Sequence, residues 1–147
     1  MLDRGCLVAA PALIVKSYEL AYSGGALSSC VVARVEVCNL RDRSRCAGFE
    51  LLVDTGSMYT WIEGGRLRGL GIEPTGRRVF GTIGGRVVER EIGEAVIGCM
   101  GERATCIVVF AREGDAEVLG VTALENLALE VDPTTKQFRR VEAVPAL

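Results

Sequence analysis

Short β-competent runs, each closed by a glycine, proline or polar turn signal, follow one another along this chain. That punctuation leaves an all-β domain as the fold class that fits. Cys30 to Cys38 alternates apolar and polar residues from Ala33 onward, the pattern of a half-buried strand. Gly48 to Val53 and Met58 to Ile62 read as two further strands, the second ending at Glu63-Gly64-Gly65. Residues 78–80 and 86–92 flank Gly81, Thr82, Ile83, Gly84 and Gly85, which predicts a hairpin with a glycine-rich tip. Residues 95–99 and 105–111 predict another hairpin, and 138–144 a closing strand. Leu67 to Leu70 predicts a helical turn. The best helix lies over 122–129, with Leu124, Leu127 and Ala128 on one face and Thr122 as N-cap. A turn is expected over 131–136.

At 147 residues the chain has room for one domain, and 49% hydrophobic residues can supply its core. Residues 28–147 form the expected domain. Residues 1–27 form an N-terminal extension whose role is open: an added strand, a cover for a dimer edge or an inhibitory pro-segment. Seventeen basic against nineteen acidic residues give a net charge of −2, which argues against a nucleic-acid partner. No apolar run reaches the ~18 residues that span a bilayer, so no membrane partner is expected. The N-terminus has no basic leader and no clean small-residue cleavage site, from which a cytoplasmic location is expected. Fifteen arginines, two lysines, two asparagines and one glutamine are compatible with a thermophile.

The composition holds one decisive zero: there is no histidine. A Ser-His-Asp or Cys-His hydrolase and a histidine-based zinc site are therefore excluded. Acid–base work must fall to carboxylates, tyrosine, cysteine or the two lysines. Six cysteines stand at 6, 30, 38, 46, 99 and 106 with no CxxC among them, so neither a metal site nor a thiol redox centre is expected. Cys38 and Cys46 flank one polar stretch, and Cys99 and Cys106 another. Each pair could form a cross-strand disulfide, Cys38–Cys46 and Cys99–Cys106, or each cysteine could be a small buried hydrophobe.

The segment Leu51-Leu52-Val53-Asp54-Thr55-Gly56-Ser57 puts a carboxylate at the end of an apolar strand. The strand is expected to hold Asp54 at an edge near the core. Thr55 offers a hydroxyl to lock the turn. Gly56 leaves a backbone N–H free for a carboxylate, and Ser57 supplies a donor for the outer carboxylate oxygen. A plain Asx-type turn is the simpler reading of the same residues.

In this order of motifs the chain resembles the aspartic proteases, in particular the single-lobed, retropepsin-like group of microbial type. Three features carry the resemblance: the apolar strand into Asp54-Thr55-Gly56-Ser57, the glycine-rich hairpin at 80–85 where the family has its flap, and Val118-Leu119-Gly120 opening a short helix. The tail Leu129-Glu130-Val131-Asp132-Pro133 is similar to microbial members, and the resemblance covers about residues 30–142. The chain departs from viral members at Met58 and Tyr59, where they carry acidic residues, and at Val121, where they carry an arginine. Trp61 and Ile62 look like the tryptophan that follows the motif in pepsin-like lobes.

The resemblance implies a retropepsin-like β-barrel protomer and a two-aspartate site that needs no cofactor. This chain has one such motif, since Asp3, Asp42, Asp115 and Asp132 are not followed by Thr-Gly. A homodimer that joins Asp54 of each subunit is therefore implied, with a peptide or protein substrate beneath flap residues Gly81, Thr82, Ile83, Gly84 and Gly85. Gly120 would let the helix start pack near the Asp54 loop. The competing expectation is a catalytically weak dimer of the same fold that binds peptides or acts as a scaffold.

Overall fold

The computed structural model describes residues 13–19, 27–82, 84–132 and 134–146. The expectations for most of residues 1–27, and those for Ile83 and Pro133, lie outside the described residues. The strands are β1 (Leu13–Glu19), β2 (Leu27–Cys38), β3 (Cys46–Asp54), β4 (Thr60–Glu63), β5 (Gly76–Gly81) and β6 (Val87–Cys99). They continue as β7 (Glu102–Ala111), β8 (Val118–Gly120), β9 (Leu129–Val131) and β10 (Phe138–Arg140). Helix α1 spans Gly64–Gly69 and α2 spans Val121–Asn126.

The protein is mostly β, with two short helices among the described residues. Strands β2, β3, β8, β4, β7 and β6 pair in that order, and β6 pairs back onto β2. This closes a six-stranded barrel, which leaves few exposed backbone edges. Closure rests on a short seam, Glu36↔Gly98, Val37↔Ile97 and Cys38↔Val96. β1 lies on the outer part of β2, and β5 on the outer part of β6. β9 and β10 form a separate two-stranded ribbon. Val37, Leu51, Ile62, Ile97, Val108 and Leu119 are fully buried at the centre of the barrel. Each comes from a different barrel strand, so each stave contributes to one core. Truncating such a residue to alanine costs about 2–5 kcal/mol.

Three local expectations are corrected. The two runs 86–92 and 95–99 are one continuous strand, β6, which passes through the buried Gly93. The helix expected over 122–129 spans 121–126, and Gly120, not Thr122, stands at its N-cap. Leu129 has left the helix to pair with Arg140, and Ala128 takes a left-handed φ of 53° to allow it. The helical turn near 67–70 is the full helix α1, capped by the Glu63 carboxylate, which accepts from the Gly65 and Arg66 N–H groups at 2.8 and 2.9 Å.

The cysteine pairs separate. Cys38 and Cys46 face each other in the β2–β3 register and form a disulfide. Cys99 and Cys106 do not bond, which corrects that expectation. The β6–β7 hairpin turns on Met100 and Gly101 alone, both at positive φ, so Cys99 faces Glu102 and Cys106 faces Ala95. The polar stretch 102–105 is strand, not loop. Both thiols are buried, and burial pushes the Cys99 thiol up to about 11. Burial likewise pushes Cys106 up, against a small opposing effect from the Asn126 amide. Thiols held protonated in this way are poor nucleophiles.

Candidate functional site

Asp54 is the last residue of β3, and β3 runs parallel to β8 with Asp54 opposite Gly120. Beyond Asp54 the chain turns tightly. The Ser57 N–H donates to the Asp54 carbonyl at 3.1 Å, and the Gly56 N–H donates to Asp54 Oδ1 at 2.9 Å. The segment is thus an Asx-type turn with its carboxylate presented outward. The other oxygen, Oδ2, accepts no hydrogen bond among the described residues.

Three expectations for this loop change. Asp54 is exposed in the protomer, because β3 has run past the end of the barrel core, which takes Leu51 fully and Val53 in part. The Ser57 hydroxyl donates to the Tyr59 carbonyl at 2.8 Å, so it braces the loop and does not donate to Asp54. Thr55 and Gly56 are exposed, and the Thr55 hydroxyl makes no hydrogen bond among the described residues.

The loop is held from below by the start of α2. The Val121 N–H donates to the Ser57 carbonyl at 2.8 Å, and the Thr122 N–H to the Met58 carbonyl at 3.1 Å. The Thr122 hydroxyl also donates to the Met58 carbonyl. Gly120 N–H donates to Oγ1 of Thr60, which is fully buried. Val118 and Leu119 anchor this short strand in the core. A Cβ on Gly120 would stand 2.3 Å from the Tyr59 carbonyl oxygen and 2.9 Å from that of Ser57. Only glycine permits the approach; the φ of −87° is ordinary, so the demand is for space.

Beside the loop, at Tyr59, stands the β5–β6 hairpin. Thr82 N–H donates to the Arg86 carbonyl at 2.8 Å, Gly85 N–H to the Thr82 carbonyl at 3.0 Å, and Gly85 has φ 80°. Gly81, Thr82, Gly84 and Gly85 are exposed at this tip. The hairpin is tied to the Asp54 loop by its stem. The Phe80 ring lies edge-on to Trp61 at 5.0 Å and to Tyr59 at 6.1 Å between centroids. Arg78 donates to the Tyr59 hydroxyl. Sequence reasoning placed Phe80 in the hairpin but missed Tyr59, Thr60 and Arg78 as parts of this site. Aromatic residues two apart on one strand could have signalled it; the partner across the hairpin could not.

The other described aspartates are committed elsewhere. Asp42 accepts from the Ser44 hydroxyl and N–H, and Asp132 from the Thr134 and Thr135 N–H groups. The Ser44 hydroxyl and the two N–H groups respectively hold their carboxyls below the usual range. Asp115 takes a two-pronged bond from Arg90, at 2.7 and 2.9 Å, and a third from the Arg112 N–H. Arg90 holds the Asp115 carboxyl below the usual range.

Glu36, Cys38 and Cys46 bring three potential metal-ligand atoms within 4.8 Å of one another. Both sulfurs are bonded to each other, so the group offers one carboxylate and no thiolate. No protein-family model matches the chain, and a search of curated proteins finds no match.

Proposed function

We propose that the protein is an aspartic peptidase of retropepsin type, whose active site forms across a C2 homodimer. The reading is carried by one observation. Asp54 sits exposed on a loop that Gly120 admits to the β8–α2 junction, beside a glycine-tipped hairpin whose stem touches Tyr59, with one carboxylate oxygen left open. A carboxylate so placed has half of what water activation needs. Two like charges a few ångströms apart cannot both ionise, so a pair of Asp54 residues would share one proton. The ionised member takes a proton from water while the protonated member polarises the scissile carbonyl. Asp42, Asp115 and Asp132 are occupied in their own loops, which favours a second Asp54 as the partner. The β5–β6 hairpin serves as the flap that excludes water over the peptide.

The test combines sedimentation with cleavage. Wild-type protein is expected to sediment as a dimer and to cleave casein or a peptide library at acidic to neutral pH. Asp54→Ala is expected to abolish cleavage while the dimer persists. A strict monomer at active concentrations, or equal cleavage by the variant, overturns the proposal.

A second reading, a catalytically weak peptide-binding dimer, draws on the Ser57 hydroxyl. It donates to Tyr59, so the carboxylate lacks that donor within the protomer. Peptide binding without Asp54-dependent cleavage would favour it.

A further inference from the structure

The paired part of the β5–β6 hairpin has two faces. Register puts Arg77, Val79 and Gly81 on one face with Val87, Glu89 and Glu91. The opposite face carries Arg78 and Phe80 with Val88, Arg90 and the buried Ile92. Contacts of Phe80 with Trp61 and Tyr59 show that this second face is the one turned to the Asp54 loop.

Arg78 and Arg90 stand directly opposite each other on that face. Like charges in this relation destabilise a strand pair unless they are compensated. Arg90 is compensated: its Nε and Nη2 both donate to Asp115, and the pair is only 13% and 16% exposed. On the outer face Arg77 pairs with Glu89. Arg78 forms no ion pair with a carboxylate among the described residues. Its guanidinium lies 5.5 Å from the Tyr59 ring centroid and donates to the Tyr59 hydroxyl, a neutral partner. The carboxylates of the hairpin stem are taken, Glu89 by Arg77 and Glu91 by Arg68.

We infer that Arg78 selects an acidic side chain in the bound peptide. An exposed guanidinium keeps several donors in a planar fork that fits a carboxylate in two-pronged fashion. Tyr59 links it to the site directly: the Tyr59 carbonyl packs against Gly120, and Gly120 faces Asp54. A peptide laid over Asp54 and under the hairpin would pass this cation. Its glutamate or aspartate would complete the ion pair that the chain leaves unmade. Arg78 is thus a specificity-determining residue, and the inference rests on the peptide-site reading above.

The test uses two fluorescein-labelled, C-terminally amidated peptides with one apolar frame, one bearing glutamates and the other glutamines. Binding is measured by anisotropy at low salt to Asp54→Asn protein, which holds peptide without cleaving it. The glutamate peptide is expected to bind about tenfold to a hundredfold more tightly. That advantage should vanish in Asp54→Asn/Arg78→Gln, return in part with Arg78→Lys, and shrink as salt is raised. Equal affinity for the two peptides overturns the inference, as does an advantage that survives Arg78→Gln. So does a preference that appears only when the C-terminal carboxylate is left free. A cleavage assay with wild-type protein runs in parallel. Loss of Asp54-dependent cleavage there removes the peptidase proposal alone, because the binding preference is read on a protein that does not cleave.

Discussion

Asp54 and Gly120 are direct partners in the parallel pairing of β3 with β8, and the absent side chain of Gly120 is what lets the Asp54 loop close over that pair. Gly120→Ala would press a methyl group against the Tyr59 carbonyl carbon and oxygen, at 2.5 and 2.3 Å. Backbone cannot yield as a flexible side chain does, so the loss of stability is expected to reach about 3 kcal/mol. Gly48→Ala meets nothing within 4 Å and is expected to stay within about 0.5 kcal/mol of wild type. Urea midpoints of the two variants measure the difference. Equal midpoints would show that the loop adapts.

Arg90 and Asp115 join β6 to the turn before β8, and their pairing gives stability a defined pH dependence. Asp115 has its folded carboxyl pulled below the ordinary value by Arg90. Its contribution is therefore complete above the unfolded value of about 3.9 and is lost as pH falls through the lower folded value. Arg90→Ala is expected to cost about 1.5–3 kcal/mol at neutral pH, since it leaves a shielded carboxylate short of its charged donor. The cost should shrink below about pH 4. Melting curves of wild type and variant from pH 7 to 2 report it; a pH-independent gap would contradict the assignment.

The Cys38–Cys46 disulfide closes a loop with a sequence separation of 8, next to the seam where β2 meets β6. Loop-closure entropy for so short a ring gives about 2–3 kcal/mol. Cys38→Ala/Cys46→Ala is expected to lose that much in non-reducing buffer, read from denaturant midpoints. Wild-type stability in this variant would remove the bond from the account of barrel closure.

Trp61 is the one tryptophan of the chain, and it lies against Phe80 of the hairpin stem. Phe80→Ala is expected to shift its fluorescence to longer wavelength and to cost about 0.5–1.5 kcal/mol beyond the lost burial. The far-ultraviolet circular dichroism should stay unchanged. An unshifted emission would mean that the stem does not cover the indole.

Local pattern carried much of this structure. Alternation through Val35 and Val37 marks β2, and the polar stretch between Cys38 and Cys46 marks a true turn. The same reasoning misplaced Cys99 and Cys106, because a two-residue turn at Met100 and Gly101 moves the register by several residues and leaves no loop to read. Barrel closure was beyond reach: Glu36, Val37 and Cys38 meet Val96, Ile97 and Gly98 across some sixty residues, and nothing local encodes the choice. Asp54 was legible as the end of an apolar strand. Its exposure was not, since that depends on where the barrel stops. Arg78 looked like any surface arginine until the register set it against Arg90 and above Tyr59.

β6 holds β2 through residues 96–98, β7 through 92–99 and β5 through 87–92. The β5–β6 hairpin is therefore a cantilever, an overhang of a beam clamped in the barrel wall. Its fixed end is the buried Gly93, where a Cβ would meet the Glu73 carbonyl and the Phe110 ring at 3.0 Å. Bending strain in such a beam concentrates at the clamp, while displacement grows toward the free end. Amide exchange should quicken stepwise from Ile92 to Val87 along one unbroken strand, and the barrel would register a load on the tip through Gly93 first.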